Sequence, residues 1–136
     1  MQTVTSQHPD DQWEINRIDE RLSFGLDIGS GANKVLGLGC DVRACTDVRC
    51  DMRWLPFRDK TFCIALFRHS LEHIEDWPKA LVEAYRVARH VYVILPKKTV
   101  WKKDLGHTAP FDLPNAEKIA EYQWGECYSF TQPFRL

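Results

Sequence analysis

Two aspartates, a pair of glycines and a group of histidines set the chemistry open to this chain. In Phe24-Gly25-Leu26-Asp27-Ile28-Gly29-Ser30-Gly31 an apolar run meets an acid and then two glycines one residue apart. A buried strand running into a tight turn has that form. Glycine there permits positive φ and removes the Cβ that would hold a ligand off. Ten residues beyond the turn, Val35-Leu36-Gly37-Leu38-Gly39-Cys40 ends in a second acid, Asp41. A glycine turn after one strand and a carboxylate after the next is how open α/β sheets grip a nucleoside. The spacing excludes the dinucleotide fingerprint, whose third glycine would fall at Lys34. An acid beside the first glycine favours a cationic or zwitterionic ligand over a phosphate.

His69 is the first candidate for acid–base work, because an unperturbed imidazole titrates near neutrality. Its plainer reading is a surface or gate residue. His69 and His73 lie four apart, and with His107 offer a zinc-like set, but no H-E-x-x-H arrangement accompanies them. No metal is expected. The G-x-S-x-G and G-x-x-x-x-G-K-[ST] motifs are absent.

These residues need elements to hold them. Residues 1–9 read as a mobile tail and 10–21 as a short helix; residues 22–136 form one domain. Strands are predicted at 22–28, 35–40, 46–50, 61–67 and 90–95, the last stopped by Pro96. Asp76 and Pro78 open a helix whose Ala80, Leu81, Ala84, Tyr85 and Val87 share a face. Asn115 is read as the cap of a further helix to about Tyr122, followed by a strand over 126–131. The fold class is α/β, a Rossmann-like open and mostly parallel sheet. It is truncated: the connections between strands 1–3 are too short for helices, and the C-terminal region has room for one strand where a full fold has a hairpin. Parallel sheets bury both faces, so a homodimer or partner protein is expected on the uncovered face.

The chain has 136 residues, 44% of them hydrophobic, and a net charge of −1. That balance suits a single domain and makes no electrostatic case for nucleic acid. No run approaches the roughly 18 apolar residues of a membrane span, and residues 1–11 lack a signal-peptide core. The five cysteines include Cys40, Cys45 and Cys50 at even spacing, which matches no zinc pattern. They read as partly buried free thiols in a reducing, cytoplasmic compartment.

Four blocks in order resemble the compact class I S-adenosylmethionine-dependent methyltransferases over about residues 22–112. Leu26-Asp27-Ile28-Gly29-Ser30-Gly31 resembles the family's first motif. Asp41 stands at the ribose-binding acid. Cys50-Asp51-Met52-Arg53-Trp54-Leu55-Pro56-Phe57 resembles D-x-x-x-L-P-F. Thr61-Phe62-Cys63-Ile64-Ala65-Leu66-Phe67-Arg68-His69-Ser70-Leu71-Glu72-His73-Ile74 resembles the fourth strand and the S-x-L-E-H-I/V turn after it. Beyond these four, Glu83-Ala84-Tyr85-Arg86-Val87 matches the family's E-x-x-R-V helix. The resemblance implies S-adenosyl-L-methionine as cofactor and a small-molecule acceptor. It implies that Asp27, Gly29, Ser30 and Gly31 hold the methionine end, and that Asp41 with Val42 meets the ribose side. Asp51 and Met52 are implied at the adenine, and Arg68, His69 and Ser70 near the reacting methyl. His107, in Gly106-His107-Thr108-Ala109-Pro110-Phe111, matches a position near the acceptor pocket and is a second candidate base. A [DNS]-P-P-[YFW] block, the mark of DNA amino-methylating enzymes, is replaced by Arg68-His69-Ser70-Leu71. Two other readings stay open: a cofactor-binding but non-catalytic subunit that completes a partner, and a Rossmann-like domain for another nucleotide. Any lid must come from residues 1–21, from 97–113 or from another subunit. Trp54, Trp77, Trp101 and Trp124 are available for an apolar pocket or for the core.

Overall fold

The computed structural model describes residues 25–31, 34, 37–43, 46–130 and 132–134. The tail and helix expected over 1–21 lie outside the described residues, as do parts of the first two expected strands. Five strands run parallel: β1 (Gly25–Ile28), β2 (Leu38–Asp41), β3 (Val48–Arg49), β4 (Phe62–Arg68) and β5 (Ala88–Pro96). Two antiparallel strands, β6 (Ala116–Glu121) and β7 (Gly125–Phe130), complete a seven-stranded sheet of order β3-β2-β1-β4-β5-β7-β6.

Register explains the core. Leu38, Leu26, Ala65 and Val91 form one row across the sheet, and Cys40, Ile28, Phe67 and Val93 the next row on the same face. The rows pack, with Ala80, Leu81, Ala84 and Val87 of helix α1 (Trp77–Val87), into one buried cluster. Small Ala80 and Ala84 let the helix lie close to the sheet. Asp76 occupies the N-cap position, without a side-chain cap bond, and Pro78 sits in the first turn. The helix passes directly into β5 at Ala88, whose backbone is already extended. Lys60, at φ +52, turns its ammonium onto the Tyr85 and Ala88 carbonyls, satisfying acceptors that the abrupt helix end exposes. On the opposite face Ile64, Leu66, Ile94 and Cys127 are fully buried in the single chain.

Two expectations at the C-terminal end are corrected. The segment read as a helix after Asn115 is strand β6. Asn115 lies in the left-handed region, at φ +57, and turns the chain into the sheet. Ala116-Glu117-Lys118 has helix-forming side chains, but pairing with β7 outweighs that preference. The end thus carries a two-stranded hairpin rather than one strand. Among the described residues, no α-helix lies between β1 and β3, in keeping with the short connections. No helix among them is long and apolar enough to cross a membrane.

Candidate active site

The strand order reverses between β1 and β4, and crevices in open sheets form at the carboxyl ends of the strands beside such a switch. A cleft of about 390 Å³ lies there, lined from the turn after β1, the end of β2, the segment after β3 and the turn after β4. That volume falls in the range of small-ligand sites.

The turn after β1 is built on one carbonyl. Gly29 N–H and Ser30 N–H both donate to Cys40 O, at 2.8 and 3.1 Å. Gly31 N–H donates to Asp41 Oδ2 at 2.8 Å, and Arg43 N–H to Oδ1 at 3.1 Å. The two glycines have different reasons to be glycine. A Cβ on Gly29 would stand 2.5 Å from Ser70 Cβ, so this position is forced by the protein's own packing. Ser70 cannot retreat, because its buried hydroxyl donates to Ile28 O at 2.8 Å. A Cβ on Gly31 would meet nothing within 4 Å, and only its φ of +58 favours glycine.

After β3, Asp51 is clamped by Arg53. Nε and Nη2 of Arg53 donate to its two oxygens at 3.0 and 2.7 Å, and Arg53 N–H adds a third bond at 2.9 Å. That guanidinium holds the Asp51 carboxyl below its usual range. Met52 reaches across the cleft floor, its Cε 3.4 Å from where a Gly29 Cβ would be. Val42 is 60% exposed at the rim. Beyond, Leu55 N–H donates to Glu83 Oε2 at 2.8 Å, and Arg86 of α1 holds the Leu55 and Phe57 carbonyls, each at 2.7 Å. Glu83 and Arg86 therefore tie the helix to the chain that carries Asp51.

The turn after β4 holds the histidines. His69 sits at φ +51, uncommon for a residue with a Cβ and characteristic of strained functional turns. Glu72, 1% exposed, lies behind it. Its Oε2 is 4.0 Å from His69 Nδ1 and 3.9 Å from His73 Nε2. Burial pushes the Glu72 carboxyl up, against the pull of the two imidazoles. His73 Nδ1 lies 3.0 Å from Gly106 O, which makes it the protonated nitrogen. His107 packs on His73 with ring centroids 4.9 Å apart. Burial holds the His107 imidazole below its usual range.

Ligand atoms of Glu72, His73 and His107 lie within 4.8 Å of one another, so Glu72 stands where the spacing of His69, His73 and His107 had placed an imidazole. The bonding does not suit a cation. His107 Nδ1 accepts Lys102 N–H at 3.0 Å, which leaves the proton of the neutral ring on Nε2 and no lone pair for a metal.

Of the residues singled out in the sequence, Gly29, Ser30, Gly31, Asp41, Val42, Asp51, Met52, Arg68, His69 and Ser70 line this cleft together. Asp27 and His107 do not. Asp27 is fully buried in the β1 row that pairs with Gly39 and Leu66, and His107 packs against His73, which does line the cleft. Ser30 turns its hydroxyl to Thr46 Oγ1, at 3.1 Å. Sequence reasoning missed Cys40, Cys50, Arg43 and His73 as lining residues. It also missed Glu72 as the buried acid among the histidines, although its place between Leu71 and His73 in the L-E-H motif was a signal.

A family model described as a methyltransferase domain matches residues 23–91, half of the chain. The chain belongs to the methyltransferase-domain family. No curated protein matches it. Among solved structures the methyltransferase domain is similar to a SAM-dependent methyltransferase from Aquifex aeolicus, at TM-score 0.59 and 15% identity, over 88% of each chain. It is similar to the YcgJ protein from Bacillus subtilis at TM-score 0.54 and 22% identity, over 66% of this chain and 51% of that one. The [4+2]-cyclase SpnF is another neighbour, at TM-score 0.52 and 19% identity, over 68% and 47%. A cyclase on this fold means that fold alone does not assign the reaction. The chain spans about half the length of the first structures it matches.

The family indicates S-adenosylmethionine as cofactor, and the residues present fit it. The Gly31 side of the turn is open to a ligand. Asp41 has one backbone donor on each oxygen, and a carboxylate oxygen accepts more than one hydrogen bond. Ile28, Val42 and Met52 supply apolar wall.

Proposed function

We propose that this chain binds S-adenosylmethionine and transfers its methyl group to a small-molecule acceptor. The observation that carries the reading is the coupling of Gly31 N–H to Asp41 across the mouth of the cleft. It holds a glycine turn and a ribose-type carboxylate in one rigid unit at the switch point. When bound, the cofactor supplies a methyl group on a sulfonium leaving group. This chain's part is then to bind, align and dehydrate. Asp41 accepts hydroxyl donors, its orientation set by Gly31 and Arg43. Met52 and Val42 cover an apolar ring. Asp51 stands at the adenine end, with Arg53 on its carboxylate. His69, on the turn after β4, accepts an acceptor proton where the acceptor needs to lose one.

Calorimetric titration with S-adenosylhomocysteine tests the site. Micromolar binding is expected. Asp41→Ala should weaken it at least tenfold, since hydrogen bonds to a charged group contribute roughly 1.5–3 kcal/mol each. An unchanged affinity in a folded variant would remove Asp41 from the site.

A second reading is a cofactor-binding subunit that a partner completes, either another protein or a second copy of this chain. Its support is that, among the described residues, no α-helix lies between β1 and β3 beside the cleft. Stable co-purification, with transfer activity only in the complex, would support this reading over the first.

A further inference from the structure

Cys40 ends the apolar part of β2, and Cys50 follows β3. Both are free thiols, both line the cofactor cleft, and the β2–β3 register, with Cys40 opposite Val48, puts Cys50 on the diagonal from Cys40 on the same face. Their surroundings differ. Cys40 is 1% exposed, whereas Cys50 is half-buried and open to small solutes from the cleft. We propose that Cys40 and Cys50 form an oxidisable dithiol in the floor of the cofactor cleft, and that peroxide converts it to a disulfide that abolishes cofactor binding. The coupling half of this proposal rests on the cofactor reading above; the thiol chemistry does not.

The chemistry follows from the two environments. The thiolate is the nucleophile toward peroxide. The Cys40 thiol alongside draws the Cys50 thiol below its usual range, against desolvation and the carboxylates of Asp51 and Asp41. The same pairing, with burial, pushes the Cys40 thiol up. Exposure assigns the roles: Cys50, open to the cleft, is the attacking sulfur, and buried Cys40 the resolving one. Cys50 thiolate takes one oxygen from hydrogen peroxide and becomes a sulfenic acid, and the other oxygen leaves as hydroxide. Cys40 sulfur then displaces the sulfenic oxygen, which departs as water with the Cys40 proton. In sum, two thiols are oxidised by two electrons to one S–S bond, and one peroxide is reduced to two waters.

The backbone shows why binding should respond. Cys40 pairs with Val48, so Cys50 lies two residues further along and faces Cys40 on the diagonal. A disulfide holds its two Cα atoms about 4.4–6.8 Å apart, so closing one across this diagonal sets the spacing of both backbones. Both backbones are anchored in the site. Cys40 O is the carbonyl on which Gly29 and Ser30 hang, and Cys50 N–H donates to Asp41 O at 2.8 Å. A shift at either cysteine therefore moves the glycine turn or the Asp41 carboxylate.

The full chain is treated with hydrogen peroxide, and the product is read by intact mass, peptide mapping and S-adenosylhomocysteine titration. The expected product has lost two hydrogen atoms and carries a mapped Cys40–Cys50 bridge. Its affinity should fall at least tenfold and return with dithiothreitol. In Cys50→Ser, whatever affinity the reduced variant has should be the same before and after peroxide. A bridge mapped to another pair, peroxide giving no bridge, or a bridge that leaves affinity unchanged would each overturn the proposal. If the reduced wild-type chain binds no S-adenosylhomocysteine, the cofactor reading fails and the coupling with it, while the mapped bridge still decides the thiol pairing.

Discussion

At the residue scale, the two turn glycines separate strain from space. Gly29→Ala meets both a left-handed φ and a 2.5 Å contact with Ser70 Cβ, whereas Gly31→Ala meets only the φ of +58. Left-handed backbone costs a residue with a Cβ roughly 1–2 kcal/mol, and overpacking adds roughly 1–3 kcal/mol. Denaturant melts should therefore show Gly29→Ala as the more damaging of the two; equal losses would contradict the Ser70 contact. Glu72 makes a prediction of opposite kind. Its folded carboxyl is raised by burial, so the folded state holds the proton more tightly than the unfolded chain. Stability then falls as pH rises from the ordinary glutamate range through the raised folded value. Glu72→Gln removes that dependence. Its melting temperature relative to the parent should rise between pH 4 and neutrality, which thermal melts at several pH values would check. A flat difference would mean that the imidazoles offset the burial. Both glycines and Glu72 were visible as letters. What made Gly29 obligatory was Ser70, 41 positions away in the chain, and no local pattern carries such a contact.

At the scale of elements, Glu83 and Arg86 join α1 to the segment that carries Asp51. Glu83 Oε2 holds Leu55 N–H, and Arg86 holds the carbonyls of Leu55 and Phe57. Glu83→Ala leaves the buried Leu55 amide without its acceptor, at a cost of roughly 1–3 kcal/mol, while Arg86 keeps Asp59 and the Leu55 and Phe57 carbonyls. Arg86 also holds the Glu83 carboxyl below its usual range. That contribution is present above the ordinary glutamate range and is lost as pH falls through the depressed folded value. Chemical denaturation at pH 7 and near pH 3 should show the gap between parent and Glu83→Ala narrowing in acid. The E-x-x-R-V pattern made this helix legible, since its spacing places the two charges on one face. The hairpin β6–β7 was not legible. Lys118, Ala120 and Glu121 favour a helix by local preference, and only β7 alongside supplies the competing hydrogen bonds.

At the scale of the whole molecule, ligand binding should be felt throughout the sheet, because the cleft draws on the ends of β1, β2 and β4 and on the segment after β3. A ligand that binds only the folded state stabilises it by about 2.7 kcal/mol at one hundred times its dissociation constant. S-adenosylhomocysteine at that excess should raise the melting temperature, and Asp41→Asn, which keeps a carbonyl oxygen for Gly31 N–H, should lose most of the rise. A rise undiminished in that variant would place the ligand elsewhere.

The sequence by itself determined the order of the parallel strands' motifs, the glycine turn, the carboxylates after the second and third strands and the helix that crosses between β4 and β5. Each is written in residues close together in the chain, where turn chemistry and hydrophobic period act directly. Tertiary structure decided which of those residues share a cleft. It sent Asp27 into the buried row beside Leu66 and packed His107 against His73. It also brought Cys40 and Cys50, on β2 and just after β3, to one cleft. These placements depend on register between strands distant in sequence, and register is set by pairing and burial across the whole sheet.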